Sequence, residues 1–251
     1  AICENGKKKK VEVERDYYKK NKEILKNCLV GKDLLRWKYQ RYVKEYCGTI
    51  RSVDEQVVRL LDYLEEKGVL DNTVIVYTSD QGFLLGEHGL YDKRFMYEES
   101  FRTPLIISCP SLVKKHSVCK ELVQNIDLAP TFLSLAGVEV PKEMSGRSLL
   151  PLFKNGKAEN WRNELYYHFY DYPAVGSVRK HDGIRTKRYK LIHWYGEGSG
   201  NDEAIDFWEL YDLKKDVMEV NNVYDNPKYV KVREALTVQL EKLRKDVGVT
   251  E

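Results

Sequence analysis

The stretch that decides the fold is "TVIVYTSDQGFLLGEHG", which runs from Thr73 to Gly89. Its first part, up to Thr78, is rich in β-branched residues and does not alternate with polar ones, so it predicts a fully buried strand. The glycine-punctuated loop that follows carries Asp80 and Gln81. Polar side chains that directly follow a strand are well placed to form a ligand site, although the same composition occurs in ordinary turns.

The segments on either side of this strand predict an α/β layer. Apolar residues recur at helical spacing over residues 32–67, and Gly68 is suited to end that helix. Downstream, residues 104–109 ("PLIISC") predict a second short buried strand. Residues 128–137 ("LAPTFLSLAG") predict a helix with Asp127 as its N-cap. The alternation of strands and helices favours parallel pairing of the two strands.

The sequence pattern changes after about residue 160. Three segments alternate apolar and polar residues, as half-buried antiparallel strands do. They are residues 164–172 ("ELYYHFYDY"), 183–195 ("GIRTKRYKLIHWY") and 207–213 ("FWELYDL"). A final amphipathic helix is predicted after Pro227. We therefore predict two domains: residues 1–159 form an α/β domain, and residues 160–251 form a smaller α+β subdomain with an antiparallel sheet.

Composition and charge narrow the classes of function. The 42 basic and 39 acidic residues leave a net charge of +3, so we expect no nucleic-acid partner. No window approaches the ~18 consecutive apolar residues of a membrane span, so we expect no membrane partner. The five cysteines are odd in number and scattered, which argues against a disulfide scaffold and a zinc site. The chain does not begin with Met, and we expect it to be a piece of a longer protein.

The loop after the predicted strand has the residue types of a metal-assisted site. Asp80 and Gln81 offer a carboxylate and an amide oxygen, a hard-oxygen pair that suits Ca²⁺ or Mg²⁺ rather than zinc. Lys93 and Arg94 follow in the same loop region and add positive charge that suits a sulfate or phosphate ester. Taken alone, these residues also fit a turn with solvated side chains, and His88 also fits a hydrogen-bonded structural histidine.

The wider pattern resembles a known family. Residues 72–107 ("NTVIVYTSDQGFLLGEHGLYDKRFMYEESFRTPLII") closely resemble the sulfatases, which belong to the alkaline-phosphatase-like superfamily. The resemblance continues through residues 125–153 and resumes at "GIRTKRYKLIH" and "WELYDLKKD", so it covers roughly residues 33–245 in order. It implies an α/β fold that is part of an alkaline-phosphatase-like parallel-sheet sandwich, followed by the small α+β subdomain with an antiparallel sheet.

The resemblance also implies roles for individual residues. Asp80 matches an aspartate that binds calcium in the family, and Gln81 falls where many sulfatases have Asn or His. Lys93 matches the lysine that binds the sulfate oxygens, and His88 lies in the "GEHG" segment near the sulfate pocket. We therefore expect Lys93 and His88 to be catalytic, and Asp80 and Gln81 to bind Ca²⁺ in preference to Mg²⁺. The expected substrate-binding residues are Arg94 and His181.

Two features of the sulfatase pattern are absent from this sequence. Sulfatases make their formylglycine nucleophile from a C/S-x-P-x-R motif, and no cysteine or serine here is followed by that pattern. The paired aspartates that open the family's metal site are also absent, since Asp-Asp does not occur. The chain thus resembles the C-terminal half of a sulfatase. We expect the nucleophile and the rest of the metal shell to come from a missing N-terminal half, and this chain alone to be inactive.

The resemblance implies an enzyme that hydrolyses sulfate esters, with a sulfated carbohydrate of glycosaminoglycan type as the expected substrate. One alternative is a phosphodiesterase or phosphonate hydrolase of the same superfamily. Another is a non-catalytic fold relative, which the missing nucleophile would favour. The family also implies a periplasmic or secreted location, or a lysosomal one in a eukaryote.

Overall fold

The structure is a computed structural model, and it describes residues 3–4, 7–8, 29–173, 178–198 and 203–249. The chain divides into two compact units, residues 1–66 and residues 67–251. The first unit contains the antiparallel strands β1 (Cys3–Glu4) and β2 (Lys7–Lys8) and the long helix α1 (Gly31–Glu66). Helix α1 confirms the helical pattern predicted for residues 32–67.

The second unit holds the elements that surround the candidate loop. Its strands are β3 (Ile75–Thr78), β4 (Leu84–Leu85), β5 (Tyr91–Asp92), β6 (Leu105–Ser108), β7 (Glu164–Phe169), β8 (His181–Thr186), β9 (Tyr189–Gly196) and β10 (Ile205–Asp212). Its α-helices are α2 (Glu98–Phe101), α3 (Leu128–Leu135), α4 (Leu150–Phe153) and α5 (Val230–Asp246). Short 3₁₀ turns lie at Leu70–Asn72, Glu87–Gly89, Asn125–Asp127 and Pro227–Tyr229.

Strands β3 and β6 pair antiparallel, with Ile75 opposite Ser108 and Thr78 opposite Leu105. The prediction that they are parallel is wrong for this pair. A parallel pair needs a connection that crosses back along the sheet, usually through a helix. The chain between β3 and β6 contains the small β4–β5 hairpin and the one-turn helix α2 instead. This connection lets the second strand start beside the end of the first.

The first predicted strand is also less buried than its sequence indicates. Tyr77 is 39% exposed and Ile106, on the paired strand, is 64% exposed. Within the described residues the sheet has only these two strands, so parts of both faces lack a covering layer. The prediction of full burial rests on residue type alone. Residue type indicates that a strand suits the interior of a complete sheet, but it does not indicate how many neighbouring strands are present to cover it.

The C-terminal sheet is antiparallel throughout, as the alternating segments predict, and its strand order is β10-β9-β8-β7. The single segment predicted over residues 183–195 is wrong, because the chain turns within it and forms the two paired strands β8 and β9. Helix α5 packs on one face through Leu236 and Leu240. Met96 and Tyr97, which follow the candidate loop, pack on the other face against a buried cluster of sheet residues. This cluster consists of Ile192, Trp194 and Tyr211. The predicted boundary between residues 159 and 160 stays a prediction.

Asp127 is the residue before helix α3, but its side chain makes no capping hydrogen bond to that helix. The predicted N-cap interaction is therefore wrong. The helix is entered through the 3₁₀ turn Asn125–Asp127, so Asp127 already has helical dihedral angles and its carboxylate cannot reach forward. The carboxylate is buried instead and pairs with Arg162. Gly137 adopts a φ of 69° directly after Ala136, the C-cap of the helix, as a C-terminal glycine does.

None of the helices in the described ranges combines the length and the apolar character needed to cross a membrane. In the same part of the chain, Cys47, Cys109 and Cys119 are free thiols.

Candidate functional site

The predicted metal ligands lie where the sequence places them, directly beyond the end of β3. Asp80 is exposed and Gln81 is partly buried. Among the described residues, the one recorded polar contact of the Asp80 carboxylate is a long 3.4 Å hydrogen bond from Ser79 Oγ. This carboxylate is therefore left almost entirely available to a cation, and its hard oxygens suit calcium.

The main chain of this loop is pressed against helix α2. Gly82 N donates to Ser100 O at 2.8 Å, and Phe83 N donates to Glu99 O at 2.6 Å. A Cβ atom at Gly82 would lie 2.1 Å from the Glu99 carbonyl oxygen, which is far inside van der Waals contact. Glycine at position 82 is thus what allows the Asp80–Gln81 segment to lie so close to α2.

Three non-glycine residues in the next part of the loop have left-handed backbone conformations. His88, Asp92 and Arg94 have φ values of 55°, 80° and 87°. Each such conformation costs on the order of 1–3 kcal/mol, and it persists only where the surrounding structure enforces it. Such residues cluster at active sites and ligand clamps. Lys93 lies between two of them, so its direction is set by a strained main chain.

Lys93 and its neighbour Arg94 have different environments. Lys93 is partly buried, and in the described part of the chain it makes no hydrogen bond or ion pair. Arg94 Nη1 lies 2.7 Å from Asp92 Oδ2, and its carbonyl accepts a 2.6 Å hydrogen bond from Tyr167 Oη. Of the two predicted anion-binding residues, Lys93 is the one whose charge is not neutralised by a carboxylate of the described chain.

His88 packs against helix α2. Its ring stacks on Tyr97 with centroids 4.3 Å apart, and its Nε2 atom lies 3.4 Å from Glu99 Oε2. The side chain is only 15% exposed, although the main chain of this residue lies at the surface. Because these contacts tie the loop to α2, they favour a positioning role. The catalytic role of His88 stays a prediction.

His181 lies at the start of β8 and is completely buried. Its ring stacks on Trp194 at 4.2 Å, and Nδ1 lies 2.8 Å from the Arg179 carbonyl, which fixes that nitrogen as the donor. Nε2 is buried and makes no hydrogen bond in the described part of the chain. Burial lowers the pKa of His181 to about 4, against the smaller opposite effect of the Arg179 carbonyl. His181 is thus neutral near pH 7.

The structure brings His181 close to the loop that carries Lys93. Tyr167 connects them, because its ring lies 5.5 Å from the His181 ring and its hydroxyl group binds the Arg94 carbonyl. The loop with Asp80 and the segment with His88 meet separately on α2, through the main chain and the side chain of Glu99. The predicted residues therefore fall into two groups. Arg94 and His181 are connected through Tyr167, and the loop with Asp80 is connected to His88 through Glu99. Both connections involve the segment from Lys93 to Glu99.

The stability of the protein is expected to depend on pH through His181. The unfolded histidine titrates near 6.5 and the folded one near 4, so between these values the unfolded state binds the proton. Stability is then complete above about pH 6.5 and falls by about 3 kcal/mol as the pH drops to 4. Urea unfolding at a series of pH values should show a shallower dependence for His181→Phe, which keeps the stacking but cannot be protonated. Parallel curves would contradict this.

A buried ion cluster, formed by Lys190, Glu98 and Glu219, lies behind the same segment. Lys190 Nζ is 2.9 Å from Glu98 Oε1 and donates to the Met96 carbonyl at 2.6 Å. It also lies 2.7 Å from Glu219 Oε1, an ion pair that lacks hydrogen-bond alignment. Burial would raise the pKa of Glu98, but Lys190 and Arg185 lower it. Burial prevails at Glu219 and raises the pKa of that carboxyl group.

Two sets of contacts near the candidate loop were not predicted from the sequence: those within the ion cluster and those of the Asn125 side chain. The Asn125 side chain binds the Ser79 and Asp80 carbonyls, although it is 45 residues away from Asp80. No local pattern signals such a contact. Within the described ranges no group of three or more His, Cys, Asp or Glu side chains could hold a metal ion. Asp80 and Gln81 fit calcium by their hard oxygen atoms, as two of the six to eight oxygen ligands that it takes. The other ligands would come from outside the described residues.

Two family models match the chain. The model described as "Sulfatase" matches residues 5–138. The model described as "N-sulphoglucosamine sulphohydrolase, C-terminal" matches residues 86–246.

Individual relatives and solved structures agree with these matches. The chain is 50% identical over 231 residues to an N-acetylglucosamine-6-O-sulfatase of Bacteroides thetaiotaomicron, which covers 91% of this chain and 40% of that protein. A structure in complex with its substrate D-glucosamine-2-N,6-O-disulfate matches with a TM-score of 0.84 and 50% identity, over 91% of this chain and 45% of that one. The phosphonate monoester hydrolase of Agrobacterium radiobacter matches with a TM-score of 0.66 and 26% identity, over 80% and 40%. The chain thus spans less than half the length of each of these proteins.

Proposed function

The chain belongs to the sulfatase family, and from this premise we propose that it is the C-terminal part of an enzyme that hydrolyses sulfate esters of a sulfated carbohydrate. The observation that carries the proposal is the 50% identity to an N-acetylglucosamine-6-O-sulfatase across 91% of the chain. The proposed substrate is a glycosaminoglycan-type sugar with a sulfated glucosamine unit. The free charge of Lys93 and the available carboxylate of Asp80 support an anionic substrate held beside a metal.

In this proposal, Asp80 and Gln81 bind Ca²⁺, in preference to Mg²⁺, together with ligands from the N-terminal half. The bound cation would supply positive charge to the sulfate oxygens, and a formylglycine residue from that half would supply the nucleophile. Lys93 donates to a sulfate oxygen, and this contact strengthens as negative charge builds up there. The strained main chain on both sides of Lys93 fixes the point from which its side chain leaves the loop.

The remaining predicted residues act on the substrate or on the loop. His181 presents a neutral, completely buried imidazole, so it supports the substrate-binding loop through the Tyr167 ring, whose hydroxyl group binds the Arg94 carbonyl. Arg94 shapes the loop through Asp92 and Tyr167 and lies beside the proposed sulfate position. His88 holds the same loop against α2. We place the enzyme in the periplasm or outside the cell, or in the lysosome of a eukaryote, as its membership of the sulfatase family implies.

The proposal is tested by assaying the complete enzyme, including its N-terminal half, on 6-sulfated N-acetylglucosamine and on a phosphonate monoester. We expect the sulfate ester to be hydrolysed with the higher kcat/KM, and residues 1–251 alone to be inactive because they lack the nucleophile. A higher kcat/KM on the phosphonate would favour a hydrolase like the one from Agrobacterium radiobacter. No turnover of either ester by the complete protein would favour a non-catalytic relative.

A further inference from the structure

The side chain of Asn125 ties the candidate metal loop to a distant part of the chain. Its Nδ2 atom donates hydrogen bonds to the main-chain carbonyls of Ser79 at 3.2 Å and Asp80 at 2.9 Å. Both carbonyls lie beyond the end of β3, where pairing with β6 has stopped. Because both partners are acceptors, the amide nitrogen and not the amide oxygen of Asn125 faces them.

Asn125 is itself held in place from behind. It begins the 3₁₀ turn that ends at Asp127, a fully buried residue whose carboxylate is paired with Arg162. The same carboxylate accepts 2.8 Å hydrogen bonds from the main-chain nitrogens of Gln124 and Arg147. The position of Asn125 is therefore fixed by contacts that do not involve the metal loop.

The Asp80 carboxylate has no comparable support of its own. Its recorded contact within the described residues is the 3.4 Å hydrogen bond from Ser79 Oγ. The direction of this carboxylate is therefore set by the main chain of residues 79 and 80, and Asn125 holds both of their carbonyls. A single amide group can make these two donations, whereas a carboxylate of the same shape can make neither.

We propose that Asn125 is a positioning residue for the metal ligand Asp80, an inference that rests on the metal site of the proposed function. The buried Asp127–Arg162 pair anchors the turn, the turn anchors Asn125, and Asn125 fixes the main chain from which the Asp80 carboxylate extends. Removing an outer contact of a metal ligand lowers metal affinity by about 10- to 100-fold. The loss should appear in calcium binding itself, before any effect on turnover is considered.

The test is calcium titration of the complete enzyme by calorimetry after chelator treatment. We expect Asn125→Ala to raise the calcium Kd by about 10- to 100-fold. The exposed Asn155, which lies elsewhere in the same unit, provides the control variant Asn155→Ala, which should bind like wild type. Thermal melts in chelator should stay cooperative for all three proteins, with at most a small downward shift for Asn125→Ala, because its two hydrogen bonds also tie the loop to the rest of the unit.

A second variant protects the test against a folding defect. Asn125→Asp has the same shape but no donor, so its calcium Kd should also rise, although its added negative charge alone would attract the cation. An unchanged Kd in Asn125→Ala would overturn the inference, as would loss of the cooperative melt in both Asn125 variants. If the wild-type enzyme bound no calcium, the metal site of the proposed function itself would fail. If wild type bound calcium and Asn125→Ala bound it equally well, only the role of Asn125 would fail, so the two failures are distinguishable.

Discussion

Replacing Lys93 with alanine is expected to lower kcat of the complete enzyme by about 10²-fold or more, while the protein stays as stable as wild type. Loss of one preorganised donor to a developing oxyanion has effects of this size. Lys93 is the predicted anion-binding residue that pairs with no carboxylate in the described ranges, whereas Arg94 pairs with Asp92, so the charge of Lys93 is available to the substrate. Its removal breaks no recorded contact, and a residue of this kind contributes little to stability.

Steady-state kinetics on a sulfate ester, together with a thermal melt of the same sample, measures both parts of this prediction. Lys142→Ala removes an exposed lysine from a loop of the same unit and should change neither quantity. Lys93→Arg keeps the charge but replaces the compact ammonium group with a planar one, so its kcat should be intermediate. Near-normal kcat in Lys93→Ala would show that the sulfate pocket is assigned wrongly.

Replacing Lys190 with methionine is expected to lower the free energy of unfolding by about 3–5 kcal/mol, the cost of breaking a buried ion pair from one side. Lys190 is completely buried between Glu98 and Glu219, and methionine would leave Glu219 without a cation and Glu98 paired with Arg185 alone. Urea unfolding of the complete enzyme measures the loss. It should shrink as the pH is lowered, because protonation then neutralises the unpaired carboxyl group.

A matched control and a rescue separate loss of charge from loss of packing. Lys242→Met removes an exposed lysine of helix α5 and should change stability by no more than about 0.5 kcal/mol. Adding Glu219→Gln to Lys190→Met should restore part of the lost stability, because the carboxylate that lacks a partner is then neutral while Glu98 keeps Arg185. Equal stability of the single and double variants would mean that the ion cluster is not what Lys190 stabilises.

Much of the fold could be predicted from the sequence because the deciding signals are local. Apolar residues at helical spacing gave helix α1 within one residue at each end. Alternation of polar and apolar residues gave the antiparallel C-terminal sheet and its covering helix α5. The position of Asp80 and Gln81 beyond the end of a strand was also readable, since a buried strand must end where such polar residues begin.

What the sequence determined by itself is therefore the longer helices and strands, their order and the residue types of the candidate loop, whereas the short elements β4, β5, α2 and α4 were not predicted. Tertiary structure alone decided the antiparallel pairing of β3 with β6, the burial of His181, the ion cluster around Lys190 and the contact of Asn125 with the metal loop. The physical reason is that secondary structure follows from periodicity over neighbouring residues, whereas each of these contacts joins residues 27 to 94 positions apart or depends on which surface covers a side chain. Such distances carry no local pattern, and only the folded chain brings their residues together.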